Sequence, residues 1–241
     1  MLTPVVADMN HNNPISWSDL TTRSGLWGLI HKATEGPHYH DSKYAARRRL
    51  AEASGLLWGA YDFASGDPPE QNANDFLAYA GITDRSVAPC LDYEQSFIHS
   101  NMTALQARIF LDTVDQKTGR ACWIYGGNWV FERISTLHMS QADVDWWRMH
   151  PLWLCQYKIG IQPDTYQQLL RHLRIPRPWG APSLIQYTGD GVGPLPHSVP
   201  GLERGADLNV FGGTKAQLTA LWYGVAVDPE TGLPQAALEV A

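Results

Sequence analysis

The sequence predicts an α/β fold: an irregular (β/α) TIM-like barrel with eight strands and fewer than eight helices. Three observations carry this. Eight short apolar runs of strand length recur along the 241 residues. The runs are near-continuously apolar rather than alternating, which is what strands covered on both faces require. Amphipathic helical segments separate them in the first half of the chain, and that signal fades in the second.

The elements follow in order. VVADM (5–9) is the first run and WGLIHKA (27–33) the second, followed by the amphipathic stretch SKYAARRRLAEAS. LLWGAYDF (56–63) and VAPCLDY (87–93) give strands three and four. TALQARIFLDTVDQKTG then reads as a helix stopped by Gly119, because glycine accepts the left-handed conformation that ends a helix. ACWIYGG (121–127) and PLWLCQY (151–157) are strands five and six. Residues 158–182 offer one helix, DTYQQLLRHL, and then IPRPWGAP. SLIQYT (183–188) is strand seven, a Gly/Pro-rich loop covers 189–204, and ADLNVF (206–211) is strand eight. No internal repeat or low-complexity linker marks a second domain, so residues 1–222 form the barrel. Residues 223–241 are a C-terminal tail or short hairpin.

Composition excludes several partners. With 18 basic and 24 acidic residues the net charge is −6, and the longest basic run is Arg47, Arg48 and Arg49 within a helical segment. Nucleic acid is therefore not an expected partner. MLTPVVADMN has neither a basic leader region nor a long apolar stretch, and no later window is apolar enough to span a bilayer. No signal peptide and no membrane insertion are expected, and the chain is expected to be a monomer. The three cysteines sit singly in apolar runs without C-x-x-C spacing, and the nine histidines form no H-E-x-x-H pattern. Neither a metal nor another cofactor is expected.

VAPCLDYEQ ends an apolar run in two acids. A strand's period of two puts Asp92 and Glu94 on one face and Tyr93 on the other. Sharing one small buried region disfavours ionising both, so one keeps its proton near neutral pH beside an anion. Taken alone, the motif reads first as a polar strand terminus, and the context of the other strand ends has to overturn that reading. In a barrel of this type the site lies at the C-terminal strand ends, which here carry Asp8, His31, Tyr61 with Asp62, Asp92 with Glu94, Tyr125, Trp153 with Gln156 and Tyr157, Gln186 with Tyr187, and Asp207. Acids and aromatics dominate, and neither YGGNW nor FGGT fits a phosphate-binding loop. Carboxylates framed by flat rings suit a carbohydrate, whose C–H faces stack on aromatics while an acid protonates the glycosidic oxygen.

DMNHNNPISW, KATEG, YHDSKY, GLLWGAYDF, LDYE, IYGG, PLWLCQY, QYTGDG and ADLNVF, in that order, resemble glycoside hydrolase family 25, the Chalaropsis-type lysozymes, from residue 5 to about 213. The resemblance implies a retaining N-acetylmuramidase cleaving the β-1,4 bond between N-acetylmuramic acid and N-acetylglucosamine in peptidoglycan glycan strands. It implies Glu94 as general acid, with Asp92, Asp8 and Asp207 as catalytic carboxylates. Tyr61, Asp62, Tyr125, Trp153, Tyr157 and Tyr187 then fall among substrate-binding positions, and Glu35 is assigned a structural role. Three positions depart from the family: Asp62 replaces a usual histidine, Lys32 a usual arginine, and Asp8-Met9-Asn10 a usual D-x-S. The D-x-E spacing, shared with chitinases, favours attack by the substrate's own N-acetyl oxygen with Asp92 orienting the amide. A non-catalytic glycan-binding barrel and a lytic component of a phage or secretion particle are the alternatives. Such a chain is made in the cytoplasm and acts on the cell wall after release.

Overall fold

A computed structural model of the chain describes residues 1–37, 39–203 and 205–234. All eight expected strands form: β1 (Val6–Met9), β2 (Gly28–Glu35), β4 (Leu57–Phe63), β5 (Val87–Asp92), β6 (Trp123–Gly126), β7 (Leu152–Cys155), β8 (Leu184–Thr188) and β9 (Asp207–Val210). A two-residue strand that the sequence did not suggest, β3 (Tyr39–His40), pairs antiparallel with the end of β2. The others close into a barrel because β1 pairs with both β2 and β9. Pairing from β1 round to β8 is parallel, whereas β9 runs antiparallel to both its neighbours.

The helices are α1 (Trp17–Arg23), α2 (Tyr44–Ala53), α3 (Pro69–Ala80), α4 (Ala104–Thr118), α5 (Asn128–Arg133), α6 (Gln141–Met149), α7 (Tyr166–Leu170) and α8 (Lys215–Trp222). The irregularity expected from the fading helical signal is present: among the described residues no helix lies between β8 and β9, and α7 is 5 residues long. The described segments still number eight because both α5 and α6 follow β6. α4 forms as its sequence specifies, with a reciprocal Thr103/Gln106 capping box at its start and Gly119 at φ 67° after its end. α3 is missed by periodicity because PEQNANDFLAYA is polar over its first turns. It is bounded by Pro69 in its first turn and Gly81 at φ 60°.

Strand alternation divides the buried side chains into two layers. Inside the barrel lie Val6, Ile30, Tyr61, Cys90, Trp123, Tyr125, Trp153 and Leu184. Between strands and helices lie Leu29, Trp58, Leu91, Tyr93, Ile124, Leu154, Ile185 and Tyr187, packed with Phe76 and Phe110. Trp222 plugs the barrel floor, donating from its indole to the Trp58 carbonyl at 2.7 Å and meeting Trp123 edge-on at 5.2 Å. A Cβ at position 59 would lie 3.1 Å from Trp222, so glycine there admits the plug. After α8 the chain turns back on itself, with a bridge between Val227 and Pro234. The remainder of the expected tail or hairpin, 235–241, lies outside the described residues. No described helix is long and apolar enough to cross a membrane.

Candidate active site

The mouth is built from the C-terminal ends of the parallel strands and the N-terminal end of β9. Because β9 is antiparallel, its first residue reaches the same rim that other strands reach with their last. Asp207 therefore sits directly across from Asp8 in the β1–β9 ladder.

Asp8 is held by two amides whose orientation is forced. The indole N–H of Trp153, which can only donate, gives its bond to Asn209 Oδ1 at 2.6 Å, so the Asn209 amide nitrogen turns to Asp8 at 2.7 Å. Gln186 Oε1 accepts from the hydroxyls of Tyr125 (2.8 Å) and Tyr157 (2.6 Å), so its nitrogen also faces Asp8, 2.9 Å from each oxygen. Three aromatic donors thus fix two amides, which fix one carboxyl. Burial outweighs these donors and pushes Asp8 up to about 6.

The other acids are raised as well. Asp92, the last residue of β5, is held well above the usual carboxylate range by burial first and by Glu94 second, while Lys32 pulls the other way. Its Oδ1 is buried and receives no hydrogen bond among the described residues. Glu94 is raised by burial and then by Asp8. Asp207 is pushed up to about 8 by burial, with Asp8, Asp190 and Glu94 adding to it. Burial and mutual repulsion thus bias all four acids toward their protonated forms, the electrostatic setting in which one carboxyl can donate a proton beside another.

Beside Glu94 a groove of about 900 Å³ opens, lined also by Gly127, Asn128, Trp129, Cys155 and Tyr157. Tyr125 and Trp153 meet at 4.4 Å inside the barrel. Tyr61 and Tyr125 keep only an edge at the mouth, 9% and 7% exposed. Trp153, expected as a sugar platform, is 2% exposed and acts instead as the donor that orients Asn209.

Two expected substrate contacts are displaced. Asp62 points out of the barrel into the helix layer, where it is wholly buried and accepts from Thr34 Oγ1 at 2.6 Å. Burial pushes it up to about 7. Tyr187 also faces outward, wholly buried, with its hydroxyl donating to the Pro196 carbonyl at 3.1 Å. Each is the strand neighbour of a residue that does face inward, Tyr61 and Gln186 respectively. Neither can touch a ligand in the groove.

Three residues at the mouth were given no catalytic or substrate-binding role by the sequence, although Gln186 was noted at its strand end. Gln186 and Asn209 are the amides that hold Asp8, and their signal was an amide standing in an otherwise apolar run. Lys32 projects into the mouth between the rings of Tyr39 and Phe63, 5.2 and 4.9 Å from their centroids, and pairs with Glu35. Glu35 also approaches His99 at 3.6 Å, which brings the end of β2 against the loop after β5.

Residues 8–194 match the family model described as glycosyl hydrolases family 25. Lysozyme M1 of Streptomyces globisporus is 25% identical over 232 residues, covering 89% of this chain and 69% of that protein. YegX of Escherichia coli, described as uncharacterized, is 27% identical over 204 residues, and the match covers 82% of this chain and 64% of that longer protein. Among solved structures, a bacterial lysozyme from Streptomyces coelicolor shares the fold, with a TM-score of 0.73, 24% identity and coverage of 92% of this chain and 99% of that one.

Proposed function

We propose that this chain, which belongs to glycosyl hydrolases family 25, is a peptidoglycan muramidase that cleaves the β-1,4 bond after N-acetylmuramic acid with retention of configuration. The observation that carries the reading is the Asp92/Glu94 pair: Asp92 ends β5 and Glu94 follows two residues on, both are raised by burial, and Glu94 lines a groove of about 900 Å³.

Glu94 enters the reaction protonated and gives its proton to the leaving oxygen while positive charge grows on the anomeric carbon. The carbonyl oxygen of the substrate's 2-acetamido group attacks that carbon from the opposite face, forming a cyclic oxazolinium. Asp92 accepts the acetamido N–H, whose positive character rises as the oxygen becomes a nucleophile, so its contribution is largest in the transition state. Water then opens the oxazolinium with the Glu94 carboxylate as base, and two inversions give net retention. Asp8 and Asp207 act at one remove, keeping proton affinity high across the mouth. In this proposal the chain works as a monomer on the cell wall, reached after release from the cytoplasm.

Borohydride reduction of the digestion products tests the bond chosen. A muramidase leaves muramic acid at the new reducing ends, recovered as muramitol. Glucosaminitol instead would place the cut at the other glycosidic bond and overturn the proposal. Proton NMR of the first product formed reads the stereochemistry, and an initial α-anomer would contradict retention.

A further inference from the structure

The four-acid cluster poses an electrostatic problem for an anionic substrate, and the chain as a whole carries a net charge of −6. The groove answers it on one wall. Lys158, half-buried just beyond β7, and Arg174, exposed beyond α7, both line the cavity that contains Glu94. The arginines ion-paired to carboxylates among the described residues are Arg23, Arg48, Arg108 and Arg148, and the one lysine is Lys32. Lys158 and Arg174 are in neither group. Glu132 lines the same cavity and forms no ion pair with them.

Arg174 is also held in place. Gln156 donates from Nε2 to the Arg174 carbonyl at 2.5 Å and accepts from the Arg174 backbone N–H at 3.1 Å, latching this segment to the end of β7. The guanidinium lies over the Phe131 ring, 4.6 Å from its centroid. A fixed backbone and a stacked guanidinium leave its N–H edge to meet a planar anion.

We propose that Lys158 and Arg174 form a binding site for the carboxylates of the peptide stem borne by muramic acid, making this wall a determinant of substrate preference. The proposal rests on the muramidase reading. Each exposed cation–carboxylate contact is worth a factor of about three, so the pair favours an acidic stem about ten-fold at low salt.

The test uses one glycan polymer in two forms, with its stem carboxyls free or converted to amides. The parent should show a kcat/KM ratio, free over amidated, of about ten that declines as salt is added. K158Q and R174Q should each reduce the ratio about three-fold and together bring it near one, with folding matched by circular dichroism. K117Q, on the remote end of α4, should leave it at the parent value. A parent ratio near one, or a ratio that survives the double substitution, would overturn the proposal while leaving the muramidase reading intact. Cleavage of neither polymer would overturn both.

Discussion

Asp62→Asn is expected to make the protein more stable in alkali than the parent without altering turnover. Asp62 is wholly buried, has one donor in Thr34, and its Oδ2 receives no hydrogen bond among the described residues. Burial raises its carboxyl from an ordinary 3.8 to about 7. The sign follows from linkage. A carboxyl bound more tightly to its proton in the native state favours folding below the unfolded value, and that advantage is lost as pH climbs to the folded value. Each tenfold gain in proton affinity corresponds to about 1.4 kcal/mol, so this rise sets an upper limit of about 4 kcal/mol lost between pH 4 and pH 8. Asparagine keeps the acceptor for Thr34 and never ionises, although its amide N–H₂ stands where Oδ2 stood and costs about 1–3 kcal/mol if unpaired. At pH 4 protonated aspartic acid has a similar unpaired hydroxyl, so variant and parent should nearly coincide. At pH 8 the variant should be ahead by about 2–4 kcal/mol. Urea denaturation followed by circular dichroism at pH 4, 6 and 8 reads this as a growing gap in midpoint at constant slope. Parallel pH curves would refute the account of a buried, ionising Asp62. A collapse of lytic activity would return the residue to the site.

Gln186→Leu removes both donors from one side of Asp8, so the Asp8 carboxyl should rise further above about 6 and the acid limb of the pH–rate profile should move up with it. An unmoved limb would mean that Asp8 does not govern it. Asp207→Asn should lower turnover about ten-fold, less than loss of a proton donor would, because Asp207 acts on its neighbours' proton affinity; steady-state kinetics near neutral pH checks it. Asp92→Asn should slow turnover by roughly 10²-fold with little change in glycan binding, since its contact strengthens only as the amide becomes a nucleophile. Glycan with N-deacetylated muramic acid should bind yet resist cleavage, and brisk cleavage would defeat the substrate-assisted route.

The order of strands and the identity of the acids were legible because each depends on local chemistry: a buried run, then a carboxylate at its end. Which way a side chain faces was not. A strand covered on both faces has no polar alternation, so LLWGAYDF does not say whether Tyr61 or Asp62 points inward, nor SLIQYT whether Gln186 or Tyr187 does. The answer comes from register with neighbouring strands, which a single sequence does not display. Direction was hidden for the same reason. ADLNVF reads alike in either sense, yet it is the reversal of β9 that carries Asp207 to the mouth at the start of its strand. The amides were visible as polar interruptions, but their purpose appears only where Trp153, Tyr125 and Tyr157 converge on them.

The central claim is that Glu94 delivers the proton that cleaves a muramyl bond. Purified peptidoglycan digested in parallel by the parent and by Glu94→Gln, with mass analysis of the soluble fragments, tests it most directly. The substitution keeps shape and hydrogen bonding while removing the transferable proton. The parent should release disaccharide-peptide fragments ending in N-acetylmuramic acid, and the variant, with an unchanged circular dichroism spectrum, should release almost none. The same fragments from Glu94→Gln at a rate within a few-fold of the parent would contradict the claim.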